Sequence, residues 1–327
     1  CEYCDFLSFP ADDETQLRYI KGLMAEMIFY GPVLKDYEVS TIYIGGGTPS
    51  WLNEEWIAAL LEGIFECFNV KEDAEISIEC NPGTLTLNKL LTYRDAGVNR
   101  LSIGLQSTND EELKLLGRIH TYDQFVKNYE MARNVGYKNI SVDLMYGLPQ
   151  QTTEKYLDTV NRIVRLKPDH ISAYSLIVEK GTPFYEKYKF DMVKQEAGMR
   201  TEFLPNEDEL YEMEKAGQAQ LFDAGYKQYE ISNYAKNNMA CRHNIGYWTR
   251  ENYLGLGIGA ASLLDNVRYT NTSDIDKYLS GCRNIHDMKE DVFRTNLHIS
   301  ADVIDRKAQM EEFMFLGLRM NEGVTRE

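Results

Sequence analysis

Short β-rich runs alternate with longer amphipathic ones along most of this chain, and that alternation limits what it can fold into. Six runs read as strands: Thr41–Gly45, Glu75–Cys80, Arg100–Gln106, Ile140–Tyr146, His170–Ile177 and Gln228–Ile231. Each is rich in Ile, Val, Tyr or Leu and is bounded by turn residues. Between them, Asn53 can cap a helix whose apolar face is Ile57, Leu60, Leu61, Ile64 and Phe65, at spacings of three and four. Thr86–Ala96 and Thr121–Val135 run into Gly97 and Gly136, Thr152–Leu166 stops before Lys167-Pro168, and Asn206–Ala224 stops at Gly225. Strand, helix and strand repeated in this way imply right-handed crossovers and a parallel sheet. The expected fold is α/β, an open three-quarter (βα)6 barrel over residues 1–231, with a flat doubly wound sheet as the alternative. After Ile231 the alternation fails. Residues 232–327 are expected to form a smaller C-terminal segment, rich in Asn, Tyr and Gly, whose last stretch, Asp302–Met320, reads as one amphipathic helix entering a further small domain.

Charge narrows the partners. The 327 residues carry 35 Lys and Arg against 51 Asp and Glu, a formal net charge of -16. Such a surface repels nucleic acid phosphates and anionic lipid, which excludes both as general partners. No apolar run approaches the roughly 20 residues that span a bilayer, and the residues given, which do not begin with Met, carry no stretch expected to act as a secretory signal. Cys67, Cys80, Cys241 and Cys282 are too dispersed for a disulfide framework and read as reduced thiols, so the expected location is the cytoplasm.

In parallel barrels, function gathers at the C-terminal ends of the strands. Here those ends carry Gly45-Gly46-Gly47-Thr48-Pro49, Glu79-Cys80-Asn81-Pro82, Gln106-Ser107, and Asp143 ahead of Leu-Met-Tyr-Gly-Leu-Pro. Polar residues inside apolar strands are costly unless satisfied, and their recurrence at successive strand ends points to one polar ligand. The glycine run lets backbone N–H groups approach a carboxylate or phosphate closely, but without a following Lys-Ser/Thr it is no P-loop. Gly255-Leu-Gly257-Ile-Gly259 lacks the setting of a dinucleotide fingerprint and reads as tight packing. Cys1-Glu-Tyr-Cys4 alone fits a redox pair, a zinc site or an iron–sulfur site, and a cubane cluster needs more thiolates than two.

Taken together these motifs resemble the radical S-adenosylmethionine (SAM) family. Within it the chain is similar to the oxygen-independent coproporphyrinogen III dehydrogenases, and most of all to the HemW-type heme chaperones. Cys1-Glu-Tyr-Cys4-Asp-Phe6 looks like the last two cysteines of the Cys-x3-Cys-x2-Cys motif, whose first cysteine is then expected four residues before Cys1. The resemblance implies a [4Fe–4S] cluster on Cys1, Cys4 and that third cysteine. It also implies SAM held by Gly45, Gly46, Gly47 and Thr48 and by Glu79, Gln106, Arg118 and Asp143, with Tyr3 and Ile177 near the adenosyl group. Arg118 would pair with the SAM carboxylate.

Two details divide the family. The dehydrogenases carry a further cysteine where this chain has Phe6. Cys241-Arg242-His243-Asn244-Ile245-Gly246-Tyr247-Trp248 matches the His-Asn-x-x-Tyr-Trp motif of the chaperones. That match implies heme as a partner, with His243 as iron ligand and Tyr247 and Trp248 as aromatic faces for the porphyrin. From spacing alone His243 reads equally as a packed structural histidine, and Cys241 is a competing iron ligand. The expected function is thus a heme-binding protein that delivers heme to acceptor proteins. The alternatives are a coproporphyrinogen III oxidase that decarboxylates propionates, or a radical SAM enzyme for another substrate.

Overall fold

A computed structural model of the chain describes residues 2–7, 11–236, 238–285 and 295–325. α1 (Asp13–Tyr30) precedes β1 (Glu38–Ile44), a short 3-10 turn at Pro49–Trp51, α2 (Glu54–Cys67) and β2 (Asn69–Cys80). The alternation continues through α3 (Leu87–Asp95), β3 (Arg100–Gln106), α4 (Asp110–Leu115), α5 (Tyr122–Val135), β4 (Asn139–Tyr146), α6 (Thr153–Leu166) and β5 (His170–Ser175). Two helices, α7 (Pro183–Glu196) and α8 (Glu207–Asp223), lead into the short strands β6 (Lys227–Gln228) and β7 (Asn233–Ala235). Then come α9 (Arg242–Trp248), β8 (Ala261–Leu264), β9 (Val267–Asn271), α10 (Ile275–Arg283), β10 (His298–Val303) and α11 (Arg306–Gly317).

The helix boundaries follow local chemistry. Thr121 and Gln124 form a capping box: the Gln124 N–H donates to Thr121 Oγ1 at 3.3 Å and the Thr121 N–H to Gln124 Oε1 at 3.0 Å. Asn206 and Glu209 do the same for α8, at 3.0 and 2.8 Å. α5 stops at Gly136, which adopts φ +107°, and α6 stops at Lys167, left-handed at φ +55° ahead of Pro168. Asn53 holds the N-cap position of α2 as expected, but its side chain makes no capping hydrogen bond.

The strands line up as β1-β2-β3-β4-β5-β7-β6, an open order with β1 and β6 at its ends. β3 and β4 pair in parallel, as do β4 and β5. The sixth strand differs from expectation. Gln228–Ile231 does not continue the parallel ladder; β7 runs antiparallel to β5, and β6 antiparallel to β7. Ile231 sits in the turn between them, where its carbonyl accepts from Gln228 Nε2 at 2.8 Å and Glu230 Oε1 accepts the Ser232 N–H at 2.8 Å. β5 likewise ends at Ser175, so Ile177 lies beyond it.

By contact density the chain divides into two compact units, interleaved in sequence. One comprises Cys1–Phe6, Ile78–Leu90 and Asn99–Ala240; the other comprises Leu7–Ser77, Leu91–Val98 and Cys241–Glu327. In the first, the two-residue period of the strands separates two sets of side chains. Leu101, Ile103, Leu105, Ile140, Val142, Leu144 and Ile171 form an apolar set, all fully buried. The opposite face is polar: Arg100, Ser102, Ser141 and His170 are buried, and Asp143, Ser172 and Tyr174 half-buried. Its members satisfy one another. Ser141 Oγ lies 2.7 Å from His170 Nδ1, and the Tyr229 hydroxyl lies 2.8 Å from His170 Nε2.

In the second unit, β10, β9 and β8 form an antiparallel three-stranded sheet that the sequence pattern does not announce. Asp302 and Val303 pair with Arg268 and Val267, so the helix expected from Asp302 starts only at Arg306. Asp305 caps it, accepting the Ala308 N–H at 2.8 Å. The Gly255–Gly259 run is a packing device: a Cβ on Gly257 would collide with the Tyr19 hydroxyl. Glu26 of α1 ties this unit together. Its carboxylate, wholly buried, accepts from the Gly257 N–H (2.9 Å), Asn271 Nδ2 (2.7 Å) and the Tyr278 hydroxyl (2.6 Å).

Burial pushes the Glu26 carboxyl up to about 7, against the pull of its three donors and from an ordinary 4.5. The folded state therefore holds this proton more tightly than the unfolded one. Its contribution is complete below about pH 4.5 and is lost as pH rises through 7, a difference of up to about 3 kcal/mol. Glu26→Gln removes the titration. Wild-type Tm should fall relative to the variant between pH 5 and pH 8; a difference that stays flat across that range would contradict the assignment.

Candidate functional site

Asp143 sits in the middle of this polar face. The registers place Gly104, Asp143 and Ser172 in one row across β3, β4 and β5. Ser102 Oγ reaches both Asp143 oxygens, at 3.3 and 3.4 Å. Burial raises the Asp143 carboxyl, opposed by the Ser172 hydrogen bond and by Arg100, Ser102 and Arg118. Arg118 is half-buried, and its Nη2 donates to Asn81 Oδ1 at 2.9 Å and to the Gly104 carbonyl. A Cβ on Gly104 would stand 3.1 Å from that guanidinium and 3.2 Å from Gln106 Nε2. Glycine is what allows the two polar groups to close over the strand.

Gln106 ends β3 at φ +76°, a left-handed conformation that a non-glycine residue adopts only when its surroundings hold it there. Its Oε1 accepts from the Tyr174 hydroxyl at 2.9 Å. Tyr3 joins the same group, with Arg118 and Asp143 close enough to act on its phenol, which burial raises. The N-terminal segment is held there by backbone bonds: the Glu2 N–H donates to Leu116 O (3.1 Å) and the Phe184 N–H to Glu2 O (3.0 Å). The structure thus brings Tyr3, Gln106, Arg118 and Asp143 together in one unit. Glu79 is half-buried near the end of β2, and Ile177 is 67% exposed. In the other unit, Gly45 and Gly46 are exposed and Gly47 and Thr48 half-buried; Gly46 takes φ +85°, with open space where a Cβ would be. Asn81, at the strand end already marked in the sequence, belongs to the same set, and Ser102, Gly104, Ser172 and Tyr174 complete it without such a mark. The alternation of polar and apolar residues within the strands is the signal that would have found them.

The donor chemistry of this region suits SAM, whose amino, carboxylate and hydroxyl groups need partners of both signs. Cys4 is half-buried and outside any disulfide. Cys1 lies outside the described residues, and among those residues no three His, Cys, Asp or Glu side chains converge on a metal position. No described helix is long and apolar enough to cross a membrane.

A second constellation lies in the other unit. His243 is the second residue of α9, and both ring nitrogens have protein neighbours. Nδ1 is 2.9 Å from Thr41 Oγ1, and Nε2 is 3.1 Å from the Tyr247 hydroxyl. Tyr43 of β1 stacks on the imidazole, ring centroids 5.0 Å apart and 17° from parallel. Tyr247 is 36% exposed, and burial of its ring, followed by the neighbouring Tyr253, pushes the phenol up to about 12. Trp248 is half-buried, with the Arg319 guanidinium 4.2 Å over its ring, so one of its two faces is covered by protein. Cys241, expected as a rival ligand, is fully buried, and its thiol donates to Glu75 Oε1 at 3.5 Å. That corrects the expectation: the thiol is turned inward. Nothing in the sequence marks Thr41, Tyr43 or Glu75 as neighbours of His243.

Residues 1–163 match the radical SAM superfamily. The chain is 35% identical over 327 residues to the heme chaperone HemW of Lactococcus lactis, covering 99% of this chain and 79% of that protein. It is also 35% identical over 328 residues to the heme chaperone HemW of Bacillus subtilis, covering 82% of it. Among solved structures it resembles coproporphyrinogen III oxidase (HemN) of Escherichia coli, a radical SAM enzyme, with a TM-score of 0.81 at 23% identity over 98% of this chain and 73% of that one. At that identity the likeness establishes the radical SAM fold and no more.

Burial sorts the described thiols into two classes. Cys4 and Cys67 are half-buried, whereas Cys80, Cys241 and Cys282 are buried; burial raises the Cys67, Cys80 and Cys282 thiols alike, so access is what separates the classes. Alkylation of the folded, cluster-free protein, mapped by peptide mass, should modify Cys4 and Cys67 well before the other three. Rapid labelling of Cys241 would place its thiol at the surface.

Proposed function

The chain belongs to the HemW family of radical SAM proteins, and from that membership we propose that it binds heme at His243 and passes it to acceptor proteins. The observation that carries this reading is the setting of the imidazole. Thr41 and Tyr43 hold one nitrogen and one ring face, while Nε2 lies 3.1 Å from the partly exposed Tyr247 hydroxyl. A histidine whose Nδ1 is held by a protein group offers Nε2 to a metal in a set orientation. Iron must displace the Tyr247 hydroxyl, a neutral hydrogen bond worth about 1 kcal/mol. Because that phenol stays protonated far above neutrality, it is a weak competitor. The partly exposed Tyr247 ring supplies apolar surface for the macrocycle, with the half-buried Trp248 one residue on. A partly open site also suits a protein that must release its cargo.

The family implies a [4Fe–4S] cluster and SAM, and we assign Cys1 and Cys4 to the cluster and Tyr3, Glu79, Gln106, Arg118, Asp143 and Ile177 to SAM. When bound, the two cofactors supply the electron-transfer chemistry that cleaves SAM. The chain's own groups do the positioning. Arg118 offers a cation to the SAM carboxylate, and Asp143 and Glu79 accept from hydroxyl or amino groups.

Heme titration with His243→Ala tests the heme assignment. The variant should lose affinity at least tenfold and shift the Soret band, with SAM binding and the circular dichroism spectrum unchanged. Tyr247→Phe keeps the ring and removes the competing hydroxyl, so it should bind heme at least as tightly as wild type. Wild-type heme uptake and an unchanged spectrum in His243→Ala would falsify the assignment.

A further inference from the structure

The segment that carries His243 is anchored by a carboxylate from a strand far away in sequence. Glu75 of β2 is only 6% exposed. Its oxygens receive donors from three consecutive residues. The Cys241 thiol (3.5 Å) and the His243 N–H (3.1 Å) reach Oε1, and the Arg242 N–H (3.1 Å) reaches Oε2. The first N–H groups of a helix need acceptors from outside it, ordinarily the N-cap side chain. Cys241, the N-cap of α9, makes no such bond. Glu75 supplies it instead and places a negative charge at the positive end of the helix.

We infer that Glu75 is a positioning residue of the heme site: it sets where the backbone of His243 lies and hence where Nε2 points. The inference rests on the heme reading above. Thr41 and Tyr43 constrain the imidazole ring. Glu75 holds the main chain through the Arg242 and His243 N–H groups. The two constraints act on different parts of the residue, and removing the carboxylate frees the main chain. A carboxylate is needed because two backbone donors approach its two oxygens. An amide in its place keeps one acceptor and turns an N–H against the other donor.

Glu75→Gln preserves volume and tests the inference directly. Loss of a charge-assisted bond at a buried position should weaken heme binding about tenfold or more and shift the Soret band of the folded protein. A purely structural role would lower Tm yet leave the spectrum of the folded fraction as in wild type. The deciding measurement is the double variant. If Glu75 acts through His243, adding Glu75→Gln to His243→Ala should weaken heme binding no further. A wild-type affinity and Soret band in Glu75→Gln, or a full additive loss in the double variant, would overturn the inference. Should Glu75→Gln fail to fold, Glu75→Asp keeps the charge but falls one methylene short of spanning both donors, and the same pattern is expected of it. Normal heme binding by His243→Ala alone would overturn the heme reading itself, and this inference with it.

Discussion

A largely buried polar face on three parallel strands is the constraint on which the first unit depends. Strand geometry sends alternate side chains to opposite faces, so β3, β4 and β5 cannot bury Leu101, Val142 and Ile171 on one side without committing Arg100, Ser102, Asp143 and His170 to the other. A one-residue slip in register would exchange the two sets and leave charges among the helices. Polar groups in such a place are tolerable only when each has a partner. The Ser141–His170–Tyr229 chain and the Ser102–Asp143 contact provide partners deep in the sheet. Toward the strand ends, Asp143, Gln106, Arg118 and Tyr3 remain as a group of mixed charge, and the proposed SAM site is built on it.

The His243 constellation is built on a different plan. Its elements are local and short: a seven-residue helix, two side chains from β1 and one carboxylate from β2. The imidazole has Nδ1 beside Thr41 Oγ1, Nε2 beside the Tyr247 hydroxyl and one face against Tyr43, so its ring is held by neighbours from β1 and α9. On the proposed reading, heme would meet this ring and the partly exposed Tyr247 beside it.

Much of this was legible in the sequence. The five strands from Thr41 to Ile177 follow from β-rich runs between turn residues, and their polar ends were visible as exceptions within apolar segments. The helical stretches from Thr121 and Asn206 were legible too, and the structure shows a capping box at each start. What escaped has physical causes. β6 and β7 are too short for a periodic signal, and the turn at Tyr229–Ser232 contains residues of high strand propensity. Asp302 and Val303 were read into a helix because their pairing to β9 is a tertiary fact, and α1 was missed altogether. Glu75 and His243 are far apart in sequence, so no spacing rule could connect them. The heme motif itself was legible only by resemblance, since a lone histidine beside Tyr and Trp fits a packed core as well as a ligand site.

The central claim is that this radical SAM scaffold serves heme binding and delivery. The most direct test is anaerobic product analysis of the cluster-reconstituted protein with SAM, a reductant and coproporphyrinogen III, alongside a heme titration of the same preparation. The account predicts that coproporphyrinogen III is recovered unchanged while heme binds with a Soret band that depends on His243. Accumulation of protoporphyrinogen by decarboxylation of the propionates would contradict it.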